Sequence, residues 1–369
     1  MELGRKQSTE REGRRLEGSS WFARYGLAVI LLLLLVGFSL AKPSSFATWN
    51  NYRSILNNEA VVVILGLAAM MPLIVGEFDL SVAGILGVAA ALATGLTSLQ
   101  GLPTGLAVAL ALLAGAALGL ANGLIVVRLK ISAFVATLAS STVMGGLVIW
   151  YTGGSSIYEG VPDSLTSLAR GSAFGIPLPV VYMAAIAVLL WFVLSRLPVG
   201  RRLYVVGGNR RAAELSGIRA ERLVIASFVA SGFLAAFAGV VLGSQLGSDV
   251  PGTEGAYLLP AFAGAFLGAT AINPGRFNPI GTVLAAYVLS VAISGLQQLG
   301  AASWVQPVFN GTVLIIAVGL SGYATRVKAA RARRRQLERL GESLLASDPD
   351  TAAALADGDP LEPISGKHP

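Results

Sequence analysis

Long apolar runs, broken by short polar or glycine-rich interruptions, occupy the chain from residue 25 to residue 322. A helix needs about 20 mainly apolar residues to cross ~30 Å of hydrocarbon. Ten segments meet that requirement: 25–41, 57–75, 80–99, 104–127, 132–152, 178–196, 223–246, 258–272, 279–299 and 304–322. The pattern therefore predicts an all-α polytopic membrane protein with one spanning domain over 25–322. The eighth segment is short and starts at Pro260. It is expected to be tilted or broken, because backbone groups freed by proline must find partners inside the protein. A leader over 1–24 precedes the domain. A tail over 323–369 follows, with a basic helical stretch and then an acidic, proline-bearing run that reads as disordered.

Charge sets the direction. With the N-terminus in the cytoplasm, ten spans leave 24 of the 27 lysines and arginines inside and only Lys42, Arg53 and Arg170 outside. Cytoplasmic loops are enriched in Lys and Arg, so both termini are expected to be cytoplasmic in an inner (plasma) membrane. Removing one span would invert everything downstream and destroy the asymmetry. The long mixed-charge leader has no A-x-A-like site, so it is expected to stay attached.

Composition narrows the chemistry. Charged residues make up 13% of the chain, and mean hydropathy is +0.70, against about 25% charged in soluble domains. The net charge of +7 lies between apolar runs. It therefore points to anionic headgroups of the lipid bilayer rather than to nucleic acid. There is no cysteine, and the one histidine, His368, sits at the C-terminal end. Disulfides, thiolate or histidine metal cages, cysteine nucleophiles and histidine triads are excluded. No catalytic residue, metal or cofactor is expected. No G-x-x-x-x-G-K-[ST] phosphate loop exists, so any ATP that drives this chain is hydrolysed by another subunit. Glycines recur at spacings of four, at 115/119/123, 239/243/247 and 264/268. Each set falls on one helix face, where backbones can approach closely.

Three polar interruptions stand out. The loop over 197–222 contains V-G-G-N-R-R-A-A-E-L-S-G-I at 206–218. Asn209 is a suitable N-cap and Gly217 a suitable stop for a short helix exposing Ala212, Ala213, Leu215 and Ile218. From the residues alone this is equally a docking helix or an ordinary surface helix. The string G-E-F-D-L-S-V at 76–82 places Glu77 and Asp79 inside a nearly continuous apolar stretch. It reads either as a turn in which Asp79 or Ser81 caps the next helix, or as an element beside a translocation path. The third interruption, 268–282, carries Pro274, Gly275, Arg276, Phe277, Asn278 and Pro279.

The string G-G-N-x-x-A-A-x-x-S-G-I resembles the signature loop of ribose-, xylose- and arabinose-type ABC importer permeases, in the branched-chain amino acid/sugar permease superfamily. Gly207, Gly208, Asn209, Ala212, Ala213, Ser216, Gly217 and Ile218 carry the match. The segment at 76–82 is similar to that family's G-x-[IF]-D-L-S-V. The turn at 268–282 corresponds to its glycine-rich turn, but departs from the G-G-x-G-S found in many relatives. The resemblance covers about 50–323. It implies a type II ABC importer-like permease fold and a non-catalytic subunit, paired as a homodimer. It also implies an ABC ATPase docked on the loop, an extracytoplasmic solute-binding protein, and import of a small hydrophilic solute, a monosaccharide first. Gate or pathway-edge candidates are Glu77, Asp79, Ser81, Arg276 and Asn278. Asn122, Gln245, Tyr257, Gln297 and Gln298 are polar or aromatic residues along the spans with no readable sugar code. The alternative is an ion-coupled secondary transporter, which needs acids well inside its spans; Glu77 and Asp79 are the only ones this reading finds. Finally, the turns at 76–79 and 275–278 share a G-x-F-[DN] pattern on one side of the membrane. Glu77 and Arg276 are expected to attract each other across the cytoplasmic entrance.

Overall fold

The computed structural model describes residues 25–319 and Gln336. The leader over 1–24 and, Gln336 apart, the tail expected over 323–369 lie outside the described residues. All ten expected spans are helices. They are α1 (Tyr25–Ala41), α2 (Trp49–Ile74), α3 (Ser81–Ser98), α4 (Thr104–Arg128), α5 (Ala133–Thr152), α7 (Leu178–Arg196), α10 (Ala220–Leu246), α11 (Gly255–Gly268), α12 (Pro279–Gln298) and α13 (Val305–Gly319). Seven are long and apolar enough to cross a membrane; α1, α11 and α13 are shorter apolar helices. Between α5 and α7 lie an amphipathic helix, α6 (Asp163–Arg170), and a two-residue hairpin, β1 (Ser172–Ala173) with β2 (Ile176–Pro177). Two short helices, α8 (Pro198–Gly208) and α9 (Arg210–Leu215), join α7 to α10.

The eighth span departs from expectation in a specific way. Pro260 lies inside α11 rather than at its start, and the helix has only 14 residues. At 1.5 Å per residue it is about 21 Å long, too short to span alone. The non-helical segment 247–254 leads into it from the end of α10.

Packing follows the glycine stripes. α2, α3 and α10 are mostly buried, whereas α5 and α7 turn most of their surface outward. α10 lies against α2, α3 and α4. A methyl group added to Gly115, Gly119 or Gly232 would collide with Ala236, with the Phe228 carbonyl, or with the Gly115 carbonyl respectively. The α4–α10 seam is thus a backbone-to-backbone crossing of the small-residue kind. Gly239 packs in the same way on Leu86 of α3, and Gly268 on the first turn of α12. α1 closes against α12, where the Phe38 ring fills the notch left by Gly295.

α2 begins eight residues before its apolar run. Thr48 caps it by accepting from the Asn51 amide. Its polar first turns are satisfied by other helices: Gln298 Nε2 donates to Asn51 Oδ1 at 2.8 Å, Gln245 Nε2 to Asn58 Oδ1 at 3.2 Å, and Tyr287 Oη to the Leu56 carbonyl at 3.2 Å. Glu59, also in α2, hydrogen-bonds Ser290 of α12. The sequence reading overlooked this acid.

Candidate functional site

The segment α8–α9 is an angled pair of short helices. Pro198 starts α8, where a missing amide costs nothing. Asn209 sits at the joint in extended conformation, and its Oδ1 accepts from the Ala212 amide at 3.0 Å, the expected N-cap. At the other end Gly217 takes φ +79°. Its amide donates to the Glu214 carbonyl, and the Ile218 amide donates to the Ala213 carbonyl, both at 3.0 Å. That pairing is a Schellman stop.

One expected feature of this helix is corrected. Ala213 is fully buried and Ile218 packs partly against the core, so neither belongs to an exposed docking face. The reason is that α9 lies on its own protein, with Ala213 facing inward. The outward residues are Ala212 and Leu215, the latter 84% exposed.

The pair is fastened to the two G-x-F-[DN] turns. Gly207 lies directly against the Ile74 carbonyl at the end of α2, a contact with no room for a β-carbon. Arg210 reaches Glu77 at 3.7 Å and Glu214 at 3.3 Å. Burial raises the Glu77 pKa, and the Arg210 charge opposes that rise. On the other turn, Tyr204 Oη donates to the Phe277 carbonyl at 2.7 Å. Arg276 lies over the Tyr204 ring at 4.1 Å, within cation–π range. Burial raises the Tyr204 pKa, again opposed by Arg276. No ion pair joins Glu77 to Arg276 among the described residues; each has another partner within the chain.

The two turns are instead joined through phenyl rings. Phe78 stacks on Phe266 at 5.9 Å, and Phe277 meets the same ring edge-on at 5.4 Å. The fourth residue of each turn serves the helix that follows. Asp79 Oδ1 accepts from the Ser81 amide at 3.0 Å and from the Ser81 hydroxyl. Asn278 Oδ1 accepts from the Gly281 amide at 2.7 Å. Gly76 (φ +88°) and Gly275 (φ +80°) both adopt the left-handed conformation that their turns require.

Asp79 does more than cap. It is fully buried, and its Oδ2 accepts from Ser231 of α10 at 2.8 Å, while Asn122 of α4 donates to Ser81 Oγ at 2.8 Å. This network ties α3, α4 and α10 together. Of the gate candidates, Glu77 and Arg276 thus touch the α8–α9 segment, whereas Asp79, Ser81 and Asn278 bond to α3, α4, α10 and α12. Asn122 belongs to the buried network, and Gln245, Gln297 and Gln298 bond at the opposite helix ends. Sequence reasoning missed Tyr204 and Phe266, which carry no polar motif and act only through tertiary contact.

The arrangement holds no catalytic constellation. No group of three or more His, Cys, Asp or Glu residues could hold a metal among the described residues. What it offers is mechanical: a capped helix pair clamped to the ends of α2, α11 and α12, with an apolar residue facing outward.

The comparisons place it further. The chain belongs to the family described as branched-chain amino acid transport system / permease component, which matches residues 51–318. Similar proteins include the ribose import permease protein RbsC of Bacillus subtilis, 35% identical over 85% of this chain and 97% of that protein. The D-allose transport system permease protein AlsC of Escherichia coli is 29% identical over 86% and 97%. The L-arabinose transport system permease protein AraH of Escherichia coli is 30% identical over 83% and 92%. No solved structure matches significantly. The chain is therefore the non-catalytic, multi-pass permease subunit of an ABC importer, working with a separate ATPase and a solute-binding protein.

Proposed function

We propose that this permease imports a monosaccharide. Two copies form the path, both termini are cytoplasmic, and the ATPase docks on the outward face of α9. The relatives named for ribose, allose and arabinose support the solute class. The charge distribution supports the orientation. The observation that carries the coupling reading is Leu215, a large apolar side chain left exposed on a rigidly capped helix. Covering such a side chain in a partner groove removes apolar surface from water and favours docking by about 1.5–3 kcal/mol. ATPase closure would push α9, and Gly207 and Tyr204 would pass the motion to the ends of α2 and α12.

The test is ATP-driven uptake of labelled ribose, allose and arabinose into proteoliposomes holding permease, ATPase and binding protein. Leu215→Glu should abolish uptake and co-purification of the ATPase, while the permease still inserts and still docks its binding protein. Retained ATPase association would remove α9 as the docking element. Reporter fusions after Phe46 and near Ser155 should score outside, and one after Gly208 inside; an inside score near Ser155 would break the orientation.

A further inference from the structure

The irregular stretch before α11 runs deep into the protein. Asp249 pairs with Ile157 through backbone hydrogen bonds in both directions, at the end of the fold where α10 stops and the loop after α5 lies. Five residues later the Glu254 side chain has reached α3 and α5. A β-carbon on Gly87 would sit 3.0 Å from its Cγ, and one on Gly145 would sit 3.7 Å from its Oε1. Gly87 lies about 16 Å along α3 from Ser98, and Gly145 about 10 Å along α5 from Thr152. The carboxylate is thus near the middle of a ~30 Å hydrocarbon layer.

At that depth the surroundings are open. Glu254 is half-buried; Gly252, Thr253, Gly255 and Ala256 are exposed, as are Thr142 and Gly146 of α5. A methyl group on Gly146, Gly252 or Gly255 would touch nothing within 4 Å. Glu254 has no ion-pair partner among the described residues. Lipid cannot solvate such a face. Non-helical backbone at membrane depth is tolerated only where protein or a water-filled cavity covers it, and intramembrane carboxylates turn toward such cavities.

We infer that Glu254 and the exposed segment 252–256 line the aqueous solute path at mid-depth, with the Glu254 carboxylate accepting hydrogen bonds from solute hydroxyl groups. This rests on the importer reading above and supplies a contact site within it. Gly146 of α5, with Gly252 and Gly255, at each of which a β-carbon would touch nothing, leaves space beside the carboxylate for a ring bearing several hydroxyls. A carboxylate accepts from two adjacent hydroxyls at once, which suits a polyhydroxylated solute and favours no single sugar.

The chain has no cysteine, so single replacements report cleanly. Glu254→Cys, Thr253→Cys and Val188→Cys, the last on the outward face of α7, would be reacted with a membrane-impermeant sulfonated methanethiosulfonate. The assembled complex would be used in vesicles, without nucleotide and with ATP trapped. Glu254→Cys and Thr253→Cys should react at least tenfold faster than Val188→Cys in one of these states. Thr253→Cys keeps the carboxylate and covers the case in which Glu254→Cys does not assemble. In the uptake assay, Glu254→Gln should lower the ribose moved per ATP hydrolysed several-fold, with binding-protein-stimulated ATPase activity retained. Labelling no faster than at Val188→Cys in both states overturns the aqueous path. Unchanged ribose per ATP in Glu254→Gln overturns the hydroxyl contact. A wild-type complex that moves no sugar at all would refute the monosaccharide reading instead, and the labelling result, which uses no solute, would stand apart from it.

Discussion

The carboxylate of Glu77 lies 3.7 Å from the guanidinium of Arg210, so a charge on the first turn of α9 is tied to the turn between α2 and α3. Both partners are partly exposed, at 42% for Arg210 and 24% for Glu77. Their coupling is therefore expected to be only about 0.2–1 kcal/mol. A thermal-unfolding cycle with Glu77→Gln, Arg210→Gln and the double variant measures it. The coupling should shrink at 1 M salt, since screening acts on exposed pairs. Strict additivity at low salt would mean the pair contributes nothing.

Adjacent glycines should behave oppositely. Gly207 abuts the Ile74 carbonyl, whereas a β-carbon on Gly208 meets nothing within 4 Å. Gly207→Ala should destabilise the permease by about 1–3 kcal/mol, as overpacking does, and lower uptake. Gly208→Ala should leave both near wild type. Equal effects on melting temperature and uptake would show that this contact does not set the position of the helix pair.

A similar contrast exists within the spans. Gly119→Val would force α4 away from α10 at the Phe228 carbonyl, while Gly146 faces open space. Gly119→Val should cut the yield of folded, monodisperse protein in detergent severalfold. Gly146→Val should not, and size-exclusion chromatography with a fluorescent tag reads the difference.

Asp249 gives a pH prediction. Its Oδ2 is buried without a hydrogen-bond partner, and its pKa is pushed up to about 6, first by burial and then by the Glu254 charge. The folded pKa exceeds the unfolded value of 3.8, so the folded state holds the proton more tightly. Stability is full below about pH 4 and falls as pH rises toward about 6, by on the order of 1–3 kcal/mol. Asp249→Asn should flatten that stretch of the melting-temperature profile and be more stable than wild type at pH 7. An identical slope in the variant would assign the pH dependence to other groups.

Span positions were legible because lipid contact demands long apolar runs, and α1, α3, α4, α5, α7 and α12 follow theirs closely. The start of α2 was not. Asn51 looks like a loop residue until Gln298, far along the chain, satisfies it, and the polar pairs Asn58–Gln245 and Glu59–Ser290 at the edge of the expected span are equally non-local. The caps at Asn209 and Gly217 were readable because a cap is a local hydrogen bond. The burial of Ala213 was not, since its inward face is set by distant helices. The likeness of the two G-x-F-[DN] turns was visible in the sequence. Their link was assigned to charges at the second position, whereas the rings at the third position join them through Phe266.

The α4–α10 seam also bears on how the protein is made. Gly115, Gly119 and Gly123 form a notch that α10 fills through Phe228, Gly232 and Ala236, with Ile85 of α3 at one end, and α10 leaves the ribosome long after α4 has entered the bilayer. Nascent α4 must therefore wait with its notch occupied by acyl chains, which α10 displaces on arrival. Early helices partition into the membrane one by one, and Ala220–Leu246, packed on α2, α3 and α4 together, completes the unit they form. A stalled or truncated chain lacking that helix would offer an unfilled groove to membrane quality-control proteases, so degradation of such fragments should depend on the missing helix rather than on the missing length.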